Sequence, residues 1–284
     1  MLCAVLSLAA LAVSAAKFVS MSILDKDYLV LRLRDGEIRY RDDGTGPSAY
    51  LGHSFAEGDD TLVVFGERFD PSCTAQVAEW EITSDDDRAF GTVHPVSVSR
   101  KSKPMHVDHT LSSELEHWLF LQLPKSMKQG CTYRVNIPSG AHPDVESAAV
   151  RFDVNSSVSE AVHVNIIGYA PDRAVKAADL YLWLGDGGQR DYSSFVGKKV
   201  WLYNVTSGRR TQVGSVSFWK SQSEYAQEAN RKNDTGSDVW NIDFKCRTPG
   251  RYRLVVEDVG CSMDFDIRND VYYEPYRYSE RGYY

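Results

Sequence analysis

Past residue 16, no stretch of the 284-residue chain reaches about 18 uninterrupted apolar residues, the length a helix needs to cross a bilayer. No membrane-spanning segment is therefore expected there. Cationic excess is lacking too. The chain has 32 Lys and Arg against 39 Asp and Glu, a net charge of -7, which argues against a nucleic-acid partner. There is no C-x-x-C pair, so zinc-site spacing is absent. There is no D-x-D-x-D-G calcium loop and no G-x-S-x-G nucleophile elbow. Gly185-Asp186-Gly187-Gly188 has neither the lysine nor the helix of a phosphate loop. Nothing calls for a metal or a cofactor, and no segment carries a sustained helical stripe.

What is present is short alternating runs between turn clusters. Charged residues make up 25% and apolar ones 43%, the balance of a folded soluble chain. The run Leu2 to Ala16, ending in small residues, matches a secretory signal peptide over residues 1–16, although no Lys or Arg precedes it. Export to the extracellular space is the expectation. Cys73, Cys131, Cys246 and Cys261 then remain, and four cysteines allow three pairings. Their split along the chain favours Cys73–Cys131 and Cys246–Cys261. Glycosylation sequons occur at Asn155, Asn204 and Asn233.

Tyr28 to Arg41 predicts a hairpin. Leu29, Leu31 and Leu33 alternate, Asp35-Gly36 suits a two-residue turn, and Ile38 and Tyr40 alternate back, setting Leu33 opposite Ile38. Strands are expected at Thr61–Phe65, Ala75–Ile82, Trp118–Leu123, Thr132–Ile137 and Ala148–Val154, with Ser99 to Glu116 as a long loop. This makes residues 27–154 an all-β domain. A polar joint, Asn155 to Glu160, is too brief for a floppy tether, so the domains should abut.

Val162 to Leu184 reads as strand, sharp break at Gly168 to Asp172, and strand, with Leu180, Leu182 and Leu184 on one face. Strands follow at Lys199–Asn204, Gln212–Phe218, Asp238–Phe244, Arg251–Glu257 and Ser262–Ile267, with a short helix at Ser223–Arg231. About seven strands in roughly 105 residues is the size of an immunoglobulin-like sandwich. The fold class expected is all-β, two tandem immunoglobulin-like β-sandwiches, the second over residues 161–268. Tyr252 sits at a strand start, where such folds pin a corner through a tyrosine hydroxyl. Residues 269–284 carry six tyrosines in sixteen positions, so this segment needs a surface to pack on.

The second domain resembles the N-terminal immunoglobulin-like domain of family 9 glycoside hydrolases, the cellulase-type enzymes. Val164 to Tyr169 resembles the family's V-N-Q-x-G-Y opening, with Ile166 in place of Gln. Pro171-Asp172 and Lys176 to Ala178 resemble the segment that follows. Asp243-Phe244 and Thr248 to Leu254 resemble D-F-S…t-x-G-x-Y-x-L, and Ser262 to Ile267 with Asp270 to Tyr272 resembles the exit. The likeness covers Val162 to Tyr284. Arg277 to Tyr284 resembles the start of the first catalytic helix. Trp80 to Asp85 and Leu121 to Pro124 are more loosely similar to the extra sandwich that some of these enzymes carry upstream.

The resemblance implies an (α/α)6 catalytic barrel as intramolecular partner, with a polysaccharide as substrate. The barrel's Asp-Ala-Gly-Asp motif is absent here, and the chain is expected to stop where the barrel begins, so no catalytic residue is assigned. Among other candidates, Asp42/Asp43, Asp59/Asp60 and Asp85/Asp86/Asp87 read as solvated turns, and His106, Asp108 and His109 do not share a strand face for chelation. Trp183 and Trp201, with Tyr181 and Trp219, have faces suited to pyranose stacking, although core packing competes for each ring. Two functions follow: the non-catalytic front of a secreted glycoside hydrolase, or a stand-alone carbohydrate-binding or adhesion module. A receptor ectodomain, a third possibility, is disfavoured by the missing anchor.

Overall fold

The computed structural model describes residues 16–41, 61–65, 71–106, 113–223 and 235–283. Strands dominate these residues, so the chain is all-β, and among them the strands form four sheets. Of residues 1–16, expected as a signal peptide, 1–15 lie outside the described residues, and the Ala16 amide donates to the His142 carbonyl at 2.8 Å.

The first sheet is built around β2 (Tyr28–Arg41) and β6 (Ser113–Gln122). Strand β1 (Lys17–Asp25) precedes the expected domain start and turns through Lys26-Asp27 into β2. Its alternation is broken by a register shift between Phe18 and Ser20, which hides it in the sequence. β3 (Thr61–Phe65) pairs with the far end of β2, as placed from sequence.

Asp35-Gly36 does not reverse the chain. β2 runs through it with a bulge between Arg34 and Glu37, and Gly36 takes φ +81°. A two-residue hairpin turn and a bulge built on glycine both use a residue at positive φ, so the dipeptide alone does not separate them. Pairing with β6 on both sides of the bulge decides it, and Leu33 sits opposite Phe18 and His117 instead of Ile38. Ser99 to Glu116 is likewise no long loop. β5 (Ser97–Met105) pairs along β6 as an edge strand, where polar side chains can stay in water and leave little apolar signal.

Ala75 to Ile82 is also different from the expectation. The end of α1 (Pro71–Ala75) and a 3-10 turn (Val77–Glu79) occupy half of it, and a strand forms only at β4 (Glu81–Thr83). β4 joins β7 (Thr132–Asn136) and β8 (Ser147–Arg151) in a second sheet. Leu29, Leu31, Leu33, Leu119 and Leu121 of the first sheet share a core with Trp80, Ile82, Tyr133 and Val135.

Beyond residue 160, β9 (Val162–Val164) and β10 (Ala178–Leu180) pair antiparallel across the expected break. β14 (Val239–Asn241) and β13 (Ser217–Lys220) complete that sheet. The fourth sheet orders β12 (Arg210–Ser215), β11 (Lys199–Asn204) and β15 (Gly250–Val256), with β16 (Gly260–Cys261) and β17 (Phe265–Ile267) on the far side of β15. Leu180, Leu182 and Leu184 are buried, as their alternation predicts, and so are Tyr252, Leu254 and Val256. The helix expected at Ser223–Arg231 falls almost wholly on residues that are not described.

The first sheet is apolar on both faces. Tyr28, Val30, Trp118 and Phe120 point away from the Tyr133 core and join Ala161, Leu180, Tyr192 and Phe195 in a second core. The two parts of the chain therefore abut through a shared hydrophobic layer. Burying such side chains is worth about 1.5–3 kcal/mol each. The joint between the parts is fastened on both sides. Ser159 Oγ donates to the Leu24 carbonyl at 2.5 Å, and the Cys261 amide donates to the Ser157 carbonyl at 2.9 Å.

Within this seam Arg190 donates to Asp25 through Nε at 2.8 Å and through its NH2 group at 3.3 Å. The guanidinium lies 4.6 Å from the Tyr28 ring and 5.2 Å from that of Tyr192. Burial pushes the Asp25 carboxyl above its ordinary range, and Arg190 pulls against that shift. Gly185, at φ +76°, lets the next turn close: a methyl there would lie 2.0 Å from the Arg100 carbonyl oxygen. Asp186 accepts the Arg100 amide at 2.6 Å. Removing one partner of a buried pair strands the other charge, at a cost of about 3–5 kcal/mol. Asp25→Asn should lower unfolding stability by that amount in urea titration, whereas Asp27→Asn, at the part-exposed neighbour, should cost under about 1 kcal/mol. Equal small losses would show that the pair does not hold the seam.

Candidate functional site

The segments that carry the family resemblance meet in space. The Tyr169 amide donates to the Asp266 carbonyl at 2.9 Å, and the Arg268 amide returns a bond to the Tyr169 carbonyl at 3.2 Å. Gly168, at φ +112°, leaves room for Val271, which is buried. Tyr272 Oη donates to the Gly168 carbonyl at 3.3 Å. The opening strand, its break and the exit thus form one anchored corner. Buried Lys176 donates to the Arg173 carbonyl at 2.7 Å, and its backbone pairs with Phe244. Tyr252 Oη donates to the Thr248 carbonyl at 3.2 Å, the corner bond expected from its position.

From that corner α2 (Tyr273–Arg281) projects with no buried residue. Tyr273, Tyr276 and Tyr278 are 58%, 60% and 62% exposed. Arg277 donates to Glu274 at 2.6 Å and Tyr276 Oη to Glu280 at 2.5 Å, so the polar side chains are tied along the helix while the rings face outward. Tyr273, Tyr276, Tyr278 and Tyr283 do not fold back onto the sheets.

Trp183, Trp201 and Trp219 do not form one platform. Trp183 and Trp219 belong to the β13–β14–β10–β9 sheet region, and Trp201 to β11 of the other sheet. Trp183 is 45% exposed, so core packing is not its role. It covers Gly236, whose added Cβ would lie 3.0 Å from the indole. Tyr181 stacks on His163 with ring centroids 4.0 Å apart, and His163 Nε2 donates to the Tyr181 carbonyl at 3.0 Å.

Trp201 sits in a cleft of about 380 Å³ where the two parts of the chain meet. Met127, Phe152, Val154 and Val255 supply apolar walls, and Gln129, Asn155 and Glu257 supply polar groups. The Arg210 guanidinium lies 4.2 Å from the Trp201 ring and donates to Asn155 Oδ1 at 3.0 Å. An aromatic floor with a polar rim is the chemistry of a small amphipathic ligand site. Met127, Phe152 and Arg210 gave no sequence signal, because they approach Trp201 only through tertiary packing.

The sequon Asn155 lies on this rim. Asn204 instead accepts from the Ser207 amide at 2.8 Å in a turn, and Asn233 lies outside the described residues. The expected Cys73–Cys131 and Cys246–Cys261 bonds are not formed. Cys73 packs against Gly140, beyond the end of β7, whereas Cys131 precedes its start, so the strand's length of about 16 Å separates them. Cys246 neighbours Thr248, while Cys261 pairs with Val255 farther along β15. A disulfide needs Cα atoms within about 7 Å. Burial pushes the Cys261 thiol up to about 11.

Asp85 is a solvated turn residue as expected, but Asp87 is buried. It accepts from Lys128 Nζ at 2.7 Å and Tyr133 Oη at 3.0 Å, and the Lys128 bond holds its carboxyl below the usual range. Asp42, Asp43, Asp59, Asp60, Asp108 and His109 lie outside the described residues. Among the described residues no group of His, Cys, Asp and Glu is placed to hold a metal ion.

No family model matches the chain, and no curated protein matches it. Among solved structures, the N-terminal part of the bacterial S-layer protein SbsC is similar at 14% identity and a TM-score of 0.30. The likeness covers 90% of this chain, which spans 44% of that one.

Burial lowers the pKa of His163 and of His117. The unfolded chain therefore binds more protons than the native one below pH ~6.5, and stability should fall as pH drops through that value. Melting temperature should decline from pH 7.5 to 5.5, and His163→Gln should shallow the decline. An unchanged slope in that variant would remove His163 from the account.

Proposed function

We propose that the chain is the non-catalytic front of a secreted glycoside hydrolase of the family 9 type. In this reading the two halves are immunoglobulin-like sandwiches, residues 27–154 extended back to β1 and residues 161–268. The second buttresses an (α/α)6 catalytic barrel acting on polysaccharide, and 269–284 is the seam. The observation that carries the reading is α2, whose rings face outward from an anchored corner. Exposed aromatics of this density gain free energy only when a second surface covers them. The meeting of Gly168 with Val271 and the Tyr252 corner bond support it further.

The reading predicts an Asp-Ala-Gly-Asp motif in frame in the coding sequence past Tyr284, and no turnover of cellulose-type oligosaccharides by the present chain. A stop codon there with no barrel at the locus, or clear hydrolysis by this chain, defeats it.

A second reading, a carbohydrate-binding or adhesion module, is favoured by the Trp201 cleft. It predicts retardation in affinity electrophoresis on a neutral polysaccharide, with Trp201→Ala reducing the retardation. Wild-type mobility unchanged on every neutral gel counts against it.

A further inference from the structure

Where the seam-side face of the first sheet runs on past Val30 and Phe120, it carries a concentration of positive charge that the net charge of -7 conceals. Strand register places two rungs across β2, β6 and β5. Arg32, Trp118 and Lys101 form one, and Arg34, Glu116 and Lys103 form the next. The Arg32 guanidinium lies 4.7 Å from the Trp118 ring, the Lys103 ammonium 4.4 Å and the Lys101 ammonium 5.5 Å. Three cations thus crowd one indole.

Their compensation is uneven. Glu116 is buried and accepts from both arginines, and Arg34 also pairs with Glu114 at 3.0 Å. Among the described residues neither Lys101 nor Lys103 has an ion pair. Burial depresses the Lys101 ammonium, Glu160 opposes this, and Lys103 and Arg32 depress it further. Trp118 itself is buried and gives its Nε1 proton to Glu160 at 3.0 Å, so the indole serves as a floor beneath the cations. The rungs lie about 6.6 Å apart along the strands, and β2 and β5 lie about 9.5 Å apart across them. Like charges held this closely on a rigid sheet repel, and an external anion relieves the repulsion.

We propose that this face binds an acidic polysaccharide, with carboxylates of successive uronic acid residues meeting Lys101 and Lys103 on one side and Arg32 on the other. Charge complementarity selects the anion. The choice of a glycan over other polyanions rests on the polysaccharide-linked function proposed above.

The test is affinity electrophoresis of the full chain in gels containing polygalacturonate, with a neutral cellulose derivative and vesicles of anionic phospholipid as parallel arms. Wild type should be retarded by polygalacturonate at low salt and released by about 0.3 M salt, where charges are screened within about 6 Å. Lys101→Gln/Lys103→Gln, checked for native circular dichroism, should weaken that retardation at least 10-fold. The single change Lys103→Gln, at an exposed position, should give an intermediate loss if the double variant does not fold. No retardation of wild type, variants retarded like wild type, or capture by vesicles alone would overturn the proposal. Retardation by polygalacturonate together with a barrel-free locus past Tyr284 would keep this site and discard the hydrolase reading.

Discussion

Arg190 and Asp25 meet inside a low-dielectric seam, and the relation between the two parts of the chain depends on that contact. Asp25 ends the first strand, and Arg190 follows the tight turn at Gly185 to Gly188. Two charges taken out of water gain little net free energy, since desolvation offsets most of their attraction. The free energy comes from the surrounding apolar side chains, with Tyr28, Val30, Trp118 and Phe120 on one side and Leu180, Tyr192 and Phe195 on the other. Hydrophobic burial is non-directional and would tolerate several sliding arrangements. The ion pair does not tolerate them, because any slip leaves a buried charge without its partner.

That constraint explains why the first sheet is apolar on both faces. One face closes the core with Trp80 and Tyr133, and the other closes the core beyond residue 160. The polar joint at residues 155–160 follows from it. Held to Leu24 at one point and to Cys261 at another, it acts as part of the packing. The Trp201 cleft and the cationic rungs both border this seam, so each inherits its rigidity.

The proposed roles divide the molecule by surface. The anchored corner at Gly168 and Val271 presents the tyrosine helix, and the first sheet presents its cations where its seam-side face runs beyond the shared core. A protein that holds a partner domain with one surface and a charged glycan with another needs the two kept at fixed spacing. The shared core supplies that spacing, since close-packed interiors deform little.

Where neighbouring residues alone set the conformation, the sequence was readable. The alternation of Leu180, Leu182 and Leu184, the break after Gly168, β11 at Lys199–Asn204 and the Tyr252 corner all followed from local pattern. The all-β class and the abutting halves were legible for the same reason. Asp35-Gly36 was misread as a hairpin turn because positive φ serves a bulge equally well, and only the pairing of β2 with β6 distinguishes them. The polar edge strand β5 gave no apolar signal, and the cysteines were matched by chain position when their strand ends lie far apart. The sequence by itself determined which residues favour strands and turns, since those preferences act over a few bonds. Tertiary structure alone decided which face meets which, where Arg190 finds Asp25 and which cations gather on Trp118, because those contacts join residues tens of positions apart, and pairing and exclusion of water select them only once the chain is folded.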